Sequence, residues 1–239
     1  MKDISVIIVA AGESKRLKTN VRKPYLMLKD KPILLHSLEV FRNIPAVCEI
    51  IIAVNPKDSK RATKIISPIN HRPVRIKTVI GDATRTESVF NALESTSHQS
   101  RIVLIHDAAR PFVKQSDVLN LIKEIRQTGA AILATPVTDT IKKLRMANGK
   151  WRIAETITPR ESLWAAQTPQ GFRRDLLIKA YQLYKKSPGE VTDDASLVEQ
   201  LGLPVSIIQG SKENIKITTK ADISHRANKR NHRFHRLHR

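Results

Sequence analysis

A doubly wound, mostly parallel α/β sheet is the fold class the sequence predicts. Three observations predict it. Short β-branched runs alternate with stretches of helical periodicity from Ile4 to Val137, and alternation of that regularity builds parallel crossovers. The runs are apolar throughout rather than every second residue, as strands covered on both faces are. Small and charged residues collect at their carboxyl ends, in Ala10-Ala11-Gly12 and again in His106-Asp107, which is the end where such sheets bind ligands.

The first strand is Ile4-Ser5-Val6-Ile7-Ile8-Val9, stopped by Ala10-Ala11-Gly12 and followed by Arg16 and by Arg22-Lys23-Pro24-Tyr25. Small residues there let backbone N–H groups approach an anion, and the basic residues add charge beside those donors. Two readings of this stretch stand, a nucleoside-triphosphate site or a strand with an ordinary polar loop. Neither standard phosphate fingerprint is present, because no G-x-x-x-x-G-K-[ST] occurs and Ser14 takes the second glycine position of G-x-G-x-x-G.

A helix is expected over Lys31–Phe41, with Pro32 in its first turn. A second buried strand covers Glu49–Val54, stopped by Asn55-Pro56. A helix over about 57–68 leads to a third strand, Val74–Ile80, and then to the polar turn Gly81-Asp82-Ala83-Thr84-Arg85 opening a helix. Arg101–Ile105 is a fourth strand ending in His106-Asp107-Ala108-Ala109-Arg110-Pro111-Phe112. A helix near 116–128 and a fifth strand, Ala130–Val137, complete the alternation.

The period then changes. Thr140–Met146 and Lys150–Thr156 flank Ala147-Asn148-Gly149, and Asn-Gly between strand-like runs is a strong hairpin signal. A lone two-stranded ribbon is marginal in water, so this arm, about 138–160, is expected to pack on a second subunit or on its own domain. Leu163–Phe172 returns the chain to the main domain, a helix follows over about 173–186, and Thr192-Asp193-Asp194-Ala195 reads as a capped helix start. Val205–Gly210 and Glu213–Ile217 are expected as two late strands. Trp151 and Trp164 read as packing residues, and His106 as a structural hydrogen-bonding group.

With 239 residues, the chain suits one α/β domain. No run approaches the ~18 apolar residues of a membrane helix, and the amino terminus leads straight into a strand without a signal peptide. A cytoplasmic protein is therefore expected. Cys48 is the sole cysteine and lies in an apolar run, so disulfides and cysteine metal sites are excluded. The formal charge of +20 raises nucleic-acid binding, but His225–Arg239 alone holds six of the Lys and Arg residues and no acid. Residues 225–239 are expected to form a disordered basic tail. Aromatics at 4% supply no stacking platform for single strands, so nucleic acid is expected to bind only non-specifically, through that tail.

Seven motifs in register carry more than any one turn. They are Ala10-Ala11-Gly12 with Arg16 and Lys23; Gly81-x-x-x-Arg85-x-x-Ser88-Val89; His106 to Phe112; Pro136-Val137-x-Asp139-Thr140; Gln167-Thr168-Pro169-Gln170; Thr192-Asp193-Asp194-Ala195; and Asn214-Ile215-Lys216-Ile217-Thr218. In this order, residues 1 to about 224 closely resemble the 2-C-methyl-D-erythritol 4-phosphate cytidylyltransferase family of the non-mevalonate isoprenoid pathway. The resemblance implies a Rossmann-like, glycosyltransferase-A-like nucleotidyltransferase domain over 1–224 with a protruding β-hairpin arm, working as a homodimer. It implies CTP and methylerythritol phosphate as substrates, and Mg²⁺.

By the same resemblance, Ala10, Ala11 and Gly12 contact the nucleotide through backbone groups, while Arg16, Lys23 and Lys216 surround its phosphates as catalytic cations. Gly81 and Ser88 read cytosine with Ala83 beside them, and Asp107 sits at ribose or metal. Arg110, Thr168 and Thr192 line the methylerythritol pocket, with Thr140 and Arg160 supplied by the partner's arm. The chain departs from the family pattern at Asp82, where a second glycine is usual, at Ser14, and at Pro24, displaced within the usual P-K-Q-Y. The alternative substrate is ribitol 5-phosphate or another polyol phosphate. Relatives of that kind typically read L-A-G-G and H-D-A-V-R-P-F, against Val9-Ala10-Ala11-Gly12 and Ala109-Arg110 here. A basic nucleic-acid-binding protein is the alternative of a different class.

Overall fold

In the computed structural model, residues 2–13, 21–70, 74–157, 159–219 and 221–223 are described. Ser14, Arg16 and the basic tail lie outside the described residues. Seven strands form one sheet, and the element order is as follows. β1 (Ile4–Ala10) is followed by a two-residue pair, β2 (Met27–Leu28) and β3 (Lys31–Pro32), which leads into α1 (Ile33–Arg42). Next come β4 (Val47–Val54), α2 (Ser59–Ile66), β5 (Arg75–Ile80), α3 (Arg85–Glu94), β6 (Ile102–Asp107), α4 (Gln115–Thr128) and β7 (Ala130–Pro136). The ribbon β8 (Lys142–Ala147) and β9 (Lys150–Thr156) forms its own sheet. The chain closes with β10 (Trp164–Arg173), α5 (Arg174–Lys186), α6 (Asp194–Glu199) and β11 (Ser206–Gln209).

The sheet order is β11-β7-β10-β6-β1-β4-β5. β1 pairs in parallel with β4 and β6, β4 with β5, and β11 with β7. The β-branched runs occupy the centre because both their faces are covered. Val6, Ile8 and Ile50 face one apolar layer with Leu34, Leu38 and Phe41 of α1. Ile7, Ile51 and Val103 face the other, with Val89 and Leu93 of α3 and Leu177 and Tyr181 of α5.

One stretch gains an element the sequence reading did not assign, and one expectation needs correction. The chain does return to the main domain through Leu163–Phe172, and it does so as a ten-residue strand, Trp164–Arg173, that inserts antiparallel between β6 and β7. Pro169 and Gly171 argue against a central strand in sequence. Here the proline falls within a register irregularity between Ala166 and Gln170, where it displaces no ladder donor. Glu213–Ile217, in turn, is not a strand. Asn214 anchors it instead, its side-chain amide donating to Gln167 Oε1 (3.0 Å) and to the Thr168 carbonyl (2.9 Å), while the Ile217 N–H reaches the Ala109 carbonyl (2.8 Å).

The hairpin forms as expected, with Asn148 and Gly149 both at positive φ (51° and 69°). Its large described apolar side chains remain uncovered within the chain. Leu144, Met146 and Trp151 are 50%, 56% and 66% exposed, so Trp151 is not packed against the rest of this chain.

Gly171 shows how tightly β10 is wedged. A Cβ there would collide with Ile125 Cδ1 and lie 2.6 Å from Leu104 Cδ2, both in the core, where overpacking costs about 1–3 kcal/mol. Gly171→Ala is expected to lower the unfolding free energy by that order, read as a lower urea midpoint at unchanged slope, without altering the far-ultraviolet circular dichroism. An unchanged midpoint would show that the core yields there.

Candidate active site

The chain leaves β1 toward β4 and β5 on one side and returns to β6 on the other. The reversal opens a crevice outside the carboxyl ends of β1 and β6, where open α/β sheets bind ligands. A cavity of about 630 Å³ lies there, lined by residues 9–13, 23–24, 55–57, 81–85 and 88 together with Asp107, Ala109 and Lys216.

Two tight loops shape it. Ala10-Ala11-Gly12 continues from β1, and Asn55 Nδ2 donates to the Ala11 carbonyl (3.3 Å). Gly81 N–H donates to the Val54 carbonyl (2.8 Å). A Cβ on Gly81 would lie 2.5 Å from Ala11 Cβ and 2.8 Å from Ser88 Oγ, so the two loops can approach this closely only with glycine there. Thr84 then caps α3. Its hydroxyl accepts from the Glu87 N–H (3.1 Å), and Glu87 accepts back from the Thr84 N–H (2.9 Å), a reciprocal cap that satisfies two orphan donors. The unusual Asp82 is absorbed into this loop. Its N–H donates to Ser88 Oγ (2.9 Å), and its carboxylate accepts from the Ala83 N–H (2.7 Å).

Asp107 ends β6 and is the buried charge of the cavity. Arg85 Nε stands 3.2 Å from its Oδ1 and Lys216 Nζ 2.6 Å from its Oδ2. Burial alone would raise its pKa, but Arg85 and then Lys216 outweigh that and hold the carboxyl far below the usual range. Arg85 also reaches Asp194 Oδ2 at 2.8 Å, and the Tyr181 hydroxyl donates to Asp194 Oδ1 (2.7 Å).

Behind Asp107, Thr168 Oγ1 accepts the Asp107 N–H (3.0 Å) and contacts His106 Nδ1 (3.2 Å), while His106 Nε2 meets the Arg110 carbonyl (3.1 Å). A carbonyl only accepts, so Nε2 carries the proton and Nδ1 accepts from the threonine hydroxyl. Burial first of all lowers the His106 pKa to about 4. His106 is thus the structural group expected, neutral and with both ring nitrogens engaged. Arg110 spans the neighbouring segments, Nη1 donating to the Asn214 carbonyl (2.7 Å).

Of the residues singled out in sequence, Ala10, Ala11, Gly12, Lys23, Gly81, Ala83, Ser88, Asp107 and Lys216 line the one cavity. Thr168 and Arg110 flank it through Asp107 and Asn214. Thr192 lies just before α6, whose cap is Asp193, bonded to Gln170 Nε2 (2.7 Å). Thr140 and Arg160 are exposed at the base of the arm and do not line the cavity, and Arg160 donates to the Thr138 carbonyl (3.1 Å). Sequence reasoning missed the Arg85–Asp194–Tyr181 chain. One signal was available, because a cation as the first residue of a helix opposes the helix dipole and needs acidic company.

Among the described residues, no group of three or more His, Cys, Asp or Glu side chains could hold a metal ion. A single carboxylate, Asp107 on the cavity lining, is the donor the site offers to a hard cation of the Mg²⁺ type. Such ions take one or two carboxylates, keep several waters and share the ligand's phosphates.

Glycine-tight loops and cations around a cavity at a sheet's switch point fit the class of nucleotidyltransferases. The description matching residues 4–228 is 2-C-methyl-D-erythritol 4-phosphate cytidylyltransferase. Proteins of that name from Desulforamulus reducens and Bacillus licheniformis are 40% and 42% identical to the chain, over 93% and 91% of it and 94% and 91% of their own lengths. A crystal structure of 4-diphosphocytidyl-2C-methyl-D-erythritol synthase from Anaerococcus prevotii superposes with TM-score 0.81 at 32% identity, covering 94% of each chain. The cytidylyltransferase structure from Thermus thermophilus gives 0.75 at 31%, covering 93% of this chain and 96% of that one. The chain belongs to the 2-C-methyl-D-erythritol 4-phosphate cytidylyltransferase family.

His106 makes stability depend on pH. Its folded pKa of about 4 lies below the ordinary 6.5, so between those values the unfolded chain binds more protons and stability rises with pH. The shift corresponds to ~3 kcal/mol, fully present above the upper value and lost as pH falls toward the lower. Urea midpoints measured across this window should fall on acidification, and His106→Gln should flatten the slope. An identical slope in the variant would refute the assignment.

Proposed function

We propose that the chain transfers the cytidylyl group of CTP to 2-C-methyl-D-erythritol 4-phosphate, releasing pyrophosphate, in isoprenoid precursor biosynthesis. The observation that carries this reading is the switch-point cavity, where Asp107 stands between Arg85 and Lys216 with Lys23 on the same wall. In the reaction, a phosphate-monoester oxygen attacks the α-phosphorus, and the bond to the β-phosphate oxygen breaks. The attacking group is already anionic, so no general base is needed. This suits a site whose nearest histidine has both nitrogens engaged. The requirement is charge: Lys23 and Lys216, with Arg16 by family resemblance, stabilise the oxygens as negative charge moves to the leaving group. Asp107 is the residue proposed to hold Mg²⁺, which when bound neutralises phosphate charge. Ala10-Ala11-Gly12 and the Gly81–Ser88 loop take the nucleoside. Arg110, Thr168 and Thr192 are proposed for the sugar phosphate.

The proposal extends to a homodimer with shared sites. Its support is the ribbon's exposed Leu144, Met146 and Trp151, on an element too small to be stable alone. The arm's base carries Thr140 and Arg160, and an arginine grips a phosphate bidentately.

Pyrophosphate release is expected to require Mg²⁺ and to be far greater with CTP and methylerythritol phosphate than with ribitol 5-phosphate or other triphosphates. Lys23→Ala should lower kcat ~10²-fold or more, as the loss of one charge-stabilising donor does. Preference for another pair, or near-full kcat in the variant, would refute the respective assignment. Mixing inactive Arg160→Ala and Lys23→Ala subunits tests the sharing. Sites built from two chains leave one intact site per heterodimer, so activity recovers. Sites within one chain restore nothing.

A further inference from the structure

Arg85 is given no role by the proposed reaction, yet it is paired with two carboxylates at the edge of the cavity. As the first residue of α3 it sits at the positive end of a helix dipole, where a cation is disfavoured. Its guanidinium forks between carboxylates from two other elements, Asp107 at the end of β6 (3.2 Å) and Asp194 at the start of α6 (2.8 Å). Asp194 is 1% exposed, and its other oxygen is held by the Tyr181 hydroxyl from α5. A buried carboxylate of this kind is costly unless paired, so Asp194 fixes Arg85 as much as Arg85 neutralises Asp194.

The two partners of Asp107 differ in what they can do during turnover. Lys216 is a point charge on a flexible stem and lines the cavity. If it turns to a triphosphate, Oδ2 of Asp107 is released. Arg85 is planar and anchored on its far side, so it stays. Resting on the function proposed above, we propose that Arg85 is a positioning residue. It holds Oδ1 of Asp107 so that Oδ2 is presented to the metal–nucleotide complex, with Asp194 and Tyr181 bracing it from behind.

The test is calorimetric titration of the full chain with CTP, with and without Mg²⁺, alongside steady-state kinetics. Arg85→Ala is expected to weaken CTP binding in Mg²⁺ by ~10-fold or more, as loss of a partner supporting a metal ligand does. The loss without Mg²⁺ should be smaller, and KM for methylerythritol phosphate should not change. Asp194→Asn should shift CTP binding the same way by a smaller factor. Arg85→Lys, which keeps the charge and loses the fork, should fall between parent and alanine. Equal loss with and without Mg²⁺ would mean that Arg85 contacts the nucleotide itself, and would overturn the positioning role. So would unchanged CTP affinity in a folded Arg85→Ala protein. Should Arg85→Ala fail to fold by circular dichroism, unchanged affinity in Arg85→Lys and Asp194→Asn overturns it equally. Calorimetry needs no turnover. A chain that binds CTP through Arg85 but releases no pyrophosphate would therefore refute the reaction and leave this role standing.

Discussion

The carboxyl end of the sheet is organised by the need to keep one buried carboxylate charged. Asp107 lies at the end of a central strand, away from bulk water, where a bare negative charge is strongly disfavoured. Two cations resolve this from opposite sides, and each recruits further structure. Lys216 arrives on a segment without regular secondary structure, held by Asn214 and Ile217. Arg85 draws in α6 through Asp194 and α5 through Tyr181. The backbone of Asp107 is fixed separately, through Thr168 and the neutral His106 behind it. Elements remote in sequence thus meet because they share one electrostatic problem.

The sequence made the central strands legible for a simple reason. Val6-Ile7-Ile8, Ile50-Ile51-Ile52 and Ile102-Val103-Leu104 are apolar on both faces, and a strand covered on both faces leaves that pattern. The first loop and Asp107 were legible because their positions follow from where those strands stop. β10 was not, since Ala, Gln, Pro and Gly fill the places where β-branched residues were sought. Its strand character is imposed by β6 and β7 on either side. Glu213–Ile217 failed in the opposite sense. Its alternating Ile residues suggest a strand, but it joins none of the sheets, and side-chain hydrogen bonds from Asn214 take the place of a ladder. The partners of Arg85 were hidden because ion pairing across distant segments has no sequence period.

Topology ties the cavity to the elements behind it through one strand. The inserted antiparallel strand β10 carries Thr168 beside Asp107 and Gln170 onto the start of α6, where its side chain accepts the Asp194 and Ala195 N–H groups (both 3.1 Å). One strand therefore touches both the carboxylate and the helix that braces its arginine. A shift along β10 would be felt on both sides at once.

The loop from Gly81 to Ser88 has a consequence for the nature of recognition. Its N–H groups at Asp82, Ala83 and Thr84 are all bonded within the loop, and the Ser88 hydroxyl also donates to the Thr84 carbonyl (2.8 Å). A loop already wired to itself gives up little conformational entropy when a ligand arrives. Nor can it reshape itself around a larger base without breaking bonds that no ligand replaces. A ligand therefore meets this loop as a preset surface, one that holds its shape before anything binds.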